Sequence, residues 1–586
     1  MWGCWGLFAA VVTGGALGVD ALTSGLPPPC DSQVYCTGDL LRQVQSAKLF
    51  SDDKHFVDMD MREPPEVTLK RFQELVSAAP GGQLTKEQIG QFVNSSFNGP
   101  GQEFEPWAPQ DWHPDPKMLS KISDANLRSW AAKLHLLWKS LGRKIKEEVR
   151  IRPELHSQIY VPHPVVVPGG RFREFYYWDS YWVINGLLLS EMPTTAKGMI
   201  QNFLYMVDRY GLIPNGGRVY YLRRSQPPFL TSMMESYMTN QNDTEFLRSN
   251  IHLLEKEYEF WMTNRSVEVE MNGRNYTLNR YNVQVGEPRP ESYTDDLELA
   301  SHLPADVRLS LLAELKSAAE SGWDFSSRWY ATVGQVQTTT LMNTRTSTIV
   351  PVDLNAVLCR TERLLADFHG KLGNTEKVLE FRKLLDRRLE AVHAIHWDES
   401  VGVWLDFDLQ ARARRNAFYP TNLSPMWADC MADLSSADKA VQYLENSNAL
   451  SYQNGIPTSM SQSGQQWDFP NAWPPLQHMV IEGLAKSSST KGQELALRLS
   501  QNWITTNYGA FQKYRAMFEK YDVTNDGKPG GGGEYDVQEG FGWTNGVVLQ
   551  LLDRYGAQLK SGTGPVTHLS WATLLFACLF WAPTWH

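Results

Sequence analysis

Carboxylates, arginines and tryptophans gather in six segments of this chain, a mixture suited to cleaving a glycosidic bond. The segments are PGGRFREFYYWDSY (168–181), IPNGGRVYYLRRSQPP (213–228), GEPRPESY (286–293), ESGWDFSSRW (320–329), QWDFPNAWPP (466–475) and FEKYDVTNDGKPGGGGEYDVQEGFGWTNG (518–546). A poor alkoxide leaves only if a neutral carboxylic acid protonates it, and water attacks only if a second, ionised carboxylate activates it. Indole faces stack on the apolar faces of sugar rings. Any one of these segments alone reads as a surface loop. Six that share one composition read as walls of a common pocket.

Asp324 is the candidate acid. It follows a helix that the Gly322 stop should end, where the negative end of the helix dipole disfavours ionisation. Trp323, Phe325 and Trp329 surround it in sequence and would desolvate it, raising its pKa further. Arg328 pulls the other way, so the sequence leaves the sign open. Glu519 lies among Met517, Phe518 and Tyr521 with Lys520 adjacent, yet spacing alone does not prefer it to Glu534 or Glu291 as the base. Arg171, Arg224 and Arg289 each sit in one of the segments, where guanidinium forks would hold sugar hydroxyls and orient carboxylates. A single arginine of this kind reads as a surface ion pair; three placed this way point to the pocket.

Helices must carry these segments. Leu127, Trp130, Leu134, Leu137 and Leu141 recur at three- and four-residue steps, as do Val378, Phe381, Leu384, Leu385, Leu389, Val392 and Ile395. Further helical stretches are expected near 181–190, 198–209, 245–262, 305–320, 354–370, 475–486, 492–506 and 544–555. Strand-like runs are few, residues 160–167 being one. Gly/Pro clusters fall between the helices, and none is long enough for an interdomain linker. About a dozen helices joined by long loops imply one helical domain with a loop-built face. Periodicity does not separate a toroid from a helical array, although no fixed-period repeat is present.

Composition narrows the function. The 586 residues carry a net charge of −10 without a long basic block, which argues against nucleic acid. The 21 tryptophans lean toward carbohydrate, although on composition alone a large aromatic core is the better explanation of them. HExxH, CxxC and GxSxG are all absent, so zinc hydrolysis and a serine-hydrolase elbow lack support. The run from Asp522 to Gly527 imitates a calcium loop, but its closing acid is replaced by Gly533.

Both ends read as processing signals. Residues 1–21 form an apolar segment followed by small residues, as in a secretory signal peptide, although without the usual basic start. Residues 22–561 would then be a single catalytic domain with an N-terminal extension. Residues 562–586 end in an apolar tail too short to span a membrane comfortably and resemble a GPI signal with Ser561 as acceptor. Sequons stand at Asn94, Asn242, Asn264, Asn275 and Asn422, the last weakened by Pro425. Cys30, Cys36, Cys359 and Cys430 remain after processing. The first two could form a local bridge, with the pairing of the four left open.

The first and fifth segments match both signature motifs of the trehalases, glycoside hydrolase family 37, and the fourth and sixth resemble that family's as well. The likeness runs from about residue 40 to residue 555. It implies an all-α (α/α)6 toroid, inverting hydrolysis of α,α-trehalose, and no cofactor. It implies Asp324 as general acid and Glu519 as base. Sugar contacts would fall on Arg171, Trp178, Asp179, Asn215, Arg224, Ser225, Gln226, Arg289, Pro290, Glu291, Gly322 and Glu534. The tail is similar to that of the GPI-anchored animal members, which implies the extracellular face of the plasma membrane, at an epithelial brush border. A homodimer is among the oligomeric states left open. Competing readings are hydrolysis of another α-glucoside and a catalytically silent sugar-binding ectodomain; the second is disfavoured because both an acid and a base are present.

Overall fold

The computed structural model describes residues 30–562 except 334, 335, 434 and 526. In chain order, α1 (Ala125–Leu141), α2 (Asp179–Leu189), α3 (Pro193–Tyr210), α4 (Leu230–Gln241), α5 (Thr244–Asn264), α6 (Val352–Leu372), α7 (Thr375–His396), α8 (Ser424–Ala428), α9 (Ser435–Asn446), α10 (Pro474–Lys486), α11 (Thr490–Tyr514) and α12 (Gly542–Tyr555) build two concentric layers. The even-numbered helices touch in a closed cycle, α2–α4–α6–α8–α10–α12 and back to α2, with odd-numbered helices packed outside them. This is the (α/α)6 toroid.

Sequence sorts the two rings. An inner helix meets protein on every side and must be apolar around its circumference, whereas an outer helix needs only one stripe. Accordingly α2 buries nine of its eleven residues, and α7 only six of its twenty-two. The outer helices also carry explicit start signals. Asp124 accepts from the Asn126 and Leu127 amides ahead of α1, Asp243 from the Phe246 amide ahead of α5, and Asn374 from the Lys377 amide ahead of α7. Segments preceding α2, α4, α6, α10 and α12 converge on one cavity, at the N-terminal end of the inner ring.

Ahead of the toroid, helices Gly38–Ser46, Pro65–Ala78 and Lys86–Ser96 surround a separate apolar core that includes Val34, Leu41, Phe56, Phe72, Phe92 and Phe97. Strand content is small, as expected, but differently placed. Residues 160–167 contribute only Val165–Val166, the edge of a three-stranded sheet with Phe104–Pro106 and Gly142–Ile145. The longest strands, Ser266–Met271 and Arg274–Asn279, form an antiparallel hairpin that was not expected. Its turn residues Asn272 and Gly273 both have positive φ, 54° and 75°, so the Asn-Gly pair was the available signal.

Disulfides join Cys30 to Cys36 and Cys359 to Cys430. The second ties α6 to the end of α8, neighbours in the inner ring. Asn94, Asn242 and Asn275 are exposed and Asn264 is half-buried. Asn422 is different: its side chain is buried and its amide nitrogen donates to the Ala417 carbonyl, so the folded chain does not present it for glycosylation. Ser561 donates from its amide and hydroxyl to Asp124, the cap of α1. The expected leader and all but the first residue of the expected propeptide lie outside the described residues. Among the described residues no helix is long and apolar enough to cross a membrane.

Candidate active site

The six sequence segments meet. Arg171, Trp178, Asp179, Asn215, Arg224, Gln226, Arg289, Glu291, Gly322, Asp324, Glu519 and Glu534 line one cavity of about 60 Å³. Ser225 and Pro290, also expected at the sugar, stand behind it. The Ser225 hydroxyl donates to the Ile213 carbonyl and its amide to Glu320, while the Pro290 carbonyl faces away and accepts from Gln45. Their polar groups are spent on holding the loops.

Asp324 follows the helix Ala305–Glu320, which ends at Ser321 and Gly322. Gly322 has φ 78°, and a Cβ there would come within 2.8 Å of the Trp178 ring. Only glycine turns the chain there and lets the acid approach the cavity. Trp323, Phe325 and Trp329 are all buried around it. Burial raises the Asp324 carboxyl from the ordinary 3.8 to about 7, and the Glu534 charge adds to the rise; Arg289 and Arg224 oppose it without reversing it. Arg328 does not decide the sign. Its guanidinium is buried between Asp353 and Asp406, at 2.8 Å from each, and stacks on Trp323 and Trp329. Asp179 is also pushed well above the carboxylate range, first by burial and then by the charges of Glu519 and Asp324.

Glu519 enters from the segment before α12 and is 1% exposed. The Tyr535 hydroxyl donates to its Oε1 at 2.8 Å, and the Lys520 ammonium lies 3.4 Å from its Oε2. The Trp543 indole N–H holds its backbone carbonyl at 3.0 Å. Lys520 also donates to Gln466 Oε1 at 2.7 Å, and the other end of that amide donates to the Asp324 carbonyl oxygen. One glutamine thus spans the backbone of the acid candidate and the lysine beside the base candidate. Gly533 is what lets the sixth segment close over it, since a Cβ there would sit 2.9 Å from three Gln466 carbons.

Each arginine is committed to a carboxylate. Arg171 forks onto Asp52 at 2.8 Å through both Nε and Nη2, and Arg224 pairs with Glu291 at 2.6 Å. Arg289 bridges Asp296 at 2.6 Å and Glu534 at 2.7 Å. Glu291 and Glu534, indistinguishable from Glu519 by spacing, are therefore both ion-paired with guanidinium groups.

Several cavity residues were not singled out individually, Trp467, Trp473, Tyr535 and Trp543 among them, although tryptophan was expected as a type. Trp467 stacks on Trp473 at 3.7 Å and on Trp323 at 5.3 Å, with Trp178 edge-on to Trp543 at 5.8 Å. Tyr535 is the more instructive case, because its role depends on the fold bringing it under Glu519. Its position next to Glu534 in the sixth segment was the only available sign. Asp468 likewise gathers Ser326, Ser327 and Ser459 and so ties the fourth segment to the fifth. Among the described residues no group of three or more metal-binding side chains occurs.

The family model and the curated relatives agree on one family. The trehalase family model matches residues 48–556. The chain is 56% identical over 558 residues to the trehalase of Homo sapiens, covering 95% of each. It is 50% identical over 540 residues to the trehalase of Apis mellifera, covering 91% of this chain and 86% of that one. Among solved structures, the neutral trehalase of Saccharomyces cerevisiae shares the fold with a TM-score of 0.55 at 24% identity, covering 70% of this chain and 81% of that one.

Proposed function

The chain belongs to the trehalase family, and on that premise we propose that it hydrolyses α,α-trehalose with inversion, Asp324 acting as acid and Glu519 as base. The observation that carries the division of roles is the difference between two carboxylates in one cavity. The Asp324 carboxyl is raised to about 7 and can hold a proton near neutrality. Glu519 faces the donors Tyr535 and Lys520, as a carboxylate would. Asp324 protonates the glycosidic oxygen as the bond breaks, while Glu519 takes a proton from water attacking the opposite face of the sugar. The product from the attacked ring is β-glucose, and the departing sugar is α-glucose. Arg171, Arg224 and Arg289 orient hydroxyls through the N–H groups their carboxylate partners leave free.

An inverting pair needs about 6.5–9.5 Å between carboxyl groups to seat the water. Proton NMR of trehalose cleavage, read before mutarotation, should show α- and β-glucose appearing in equal amounts. α-Glucose alone would mean retention and end this mechanism.

The enzyme acts at the outer face of the plasma membrane on a GPI anchor attached at Ser561. Support comes from the small-residue site with its apolar tail, the three exposed sequons and two disulfides suited to an oxidising compartment. Phosphatidylinositol-specific phospholipase C should release active enzyme from intact cells. Retention beside a released GPI-linked control would refute the anchor and leave the hydrolase assignment standing.

A further inference from the structure

The N-terminal extension reaches two walls of the cavity with one short run of chain. Asp52 Oδ2 and Oδ1 accept from Arg171 Nε and Nη2, both at 2.8 Å. Asp53 accepts from the amide and hydroxyl of Thr294 at 2.6 and 2.8 Å, just beyond the 286–293 segment. Lys54, buried, pairs with Glu174 at 2.8 Å. Gln45 completes the bracket by donating to the Asp53 carbonyl at 2.8 Å and the Pro290 carbonyl at 3.0 Å. These contacts span the first and third segments, which share no helix.

The Asp52 fork has the most direct consequence. It occupies one edge of the Arg171 guanidinium and leaves Nη1 for the cavity. The same guanidinium lies 4.6 Å from the centre of the Tyr535 ring, whose hydroxyl donates to Glu519. The Arg171 amide is fixed too, donating to Gln538 at 2.7 Å. Burial alone would raise the Asp52 carboxyl, but the Arg171 bonds and charge outweigh it and leave it below the ordinary carboxylate range. With its side chain 36% exposed, Asp52 contributes little to stability through this pair. Its geometry, a bidentate fork, does something else: it fixes direction.

We propose that Asp52 is a positioning residue for the reaction, turning Arg171 so that its free edge faces the sugar and its face supports Tyr535. The inference rests on the reading of this cavity as the trehalose site. It assigns the N-terminal extension a part in the chemistry of a toroid to which it contributes no ring helix.

The test is a double-mutant cycle on the full chain with trehalose as substrate: wild type, Asp52→Asn, Arg171→Lys and the double variant. Asp52→Asn should raise KM by about 10-fold or more, as for a lost charge-assisted bond, with a smaller change in kcat and an unchanged thermal midpoint. If Asp52 acts through Arg171, the double variant should be no worse than Arg171→Lys alone. Multiplying effects, or wild-type KM in Asp52→Asn, would overturn the proposal. An Asp324→Asn variant run alongside separates the two ideas. Full activity in it would refute the acid assignment while leaving the cycle to judge Asp52, and a wild type that frees no glucose from trehalose would refute both.

Discussion

Neutralising Glu534 should move the alkaline limb of the pH–rate profile downward. The acid candidate works only while protonated, so activity that depends on Asp324 is present below its pKa and lost as pH rises through about 7. The rise from the ordinary 3.8 corresponds to about 4 kcal/mol at 1.36 kcal/mol per pKa unit. Burial supplies the largest share and the Glu534 charge the next. As an order of magnitude, two like charges lining one cavity, taken as roughly 8 Å apart at an effective dielectric near 20, repel by about 2 kcal/mol. Glu534 is itself paired with Arg289, which weakens what Asp324 feels, so a contribution on the order of one pKa unit is expected.

Glu534→Gln removes that repulsion and frees the Arg289 fork from one of its two carboxylates. Both changes favour ionised Asp324. The limb should therefore fall from about pH 7 to about pH 6. The measurement is kcat/KM for glucose release from trehalose across the pH range, because that ratio reports the free enzyme. Glu534 also lines the cavity, so absolute rates will drop; the position of the limb is what decides. A limb that stays put or moves upward would refute both the electrostatic account and the role given to Asp324.

Asp324→Asn and Glu519→Gln should each lower turnover by about 10²–10⁴-fold while leaving the circular dichroism spectrum and thermal midpoint unchanged. Near-normal turnover in Glu519→Gln would pass the base role to Glu534. Cys359→Ser should cost about 4 kcal/mol in denaturant unfolding, given the 71-residue separation that the bridge closes. A midpoint equal to wild type would mean that the α6–α8 contact is held by packing alone.

Most of the outer ring was legible because its helices show the solvent a polar face and α1, α5, α7 and α11 start at a capping side chain; α9 was not foreseen. The apolar steps at Leu127, Trp130 and Leu134, or at Phe381, Val392 and Ile395, are the buried stripes observed. Inner helix α4 was not foreseen. Its run LTSMMESYMTNQ is buried on several sides, carries polar residues into the interior and has no capping side chain, so neither period nor start signal marks it. The six functional segments were legible from composition, but their electrostatics were not. Arg328 is four residues from Asp324 in sequence, yet it is held by Asp353 and Asp406, while the opposing cation is Arg289, thirty-five residues upstream. Asp52 gave no sign at all, because a surface-type aspartate becomes a guanidinium partner only once the extension has folded against the toroid.

The division of labour among the carboxylates follows from where the donors are. Asp179, Glu291, Asp324, Glu519 and Glu534 face the cavity with Arg171, Arg224 and Arg289. The arginine forks are already held by Asp52, by Glu291, and by Asp296 with Glu534. Among the described residues, Asp179, Asp324 and Glu519 are left without a guanidinium partner, and one ammonium, Lys520, lies against Glu519. Three carboxyl groups sharing a buried space do not all ionise together, because burial and mutual repulsion both favour keeping protons on some of them. Burial and like charge raise Asp324 and Asp179. Glu519 instead faces two donors, the Tyr535 hydroxyl and the Lys520 ammonium. On the reading proposed above, one kind of side chain serves as acid where burial and like charge raise it and as base where a tyrosine and a lysine face it. Tyr535 lies against Arg171 and Arg171 is held by Asp52, so the donor on Glu519 is tied to a contact made by the N-terminal extension.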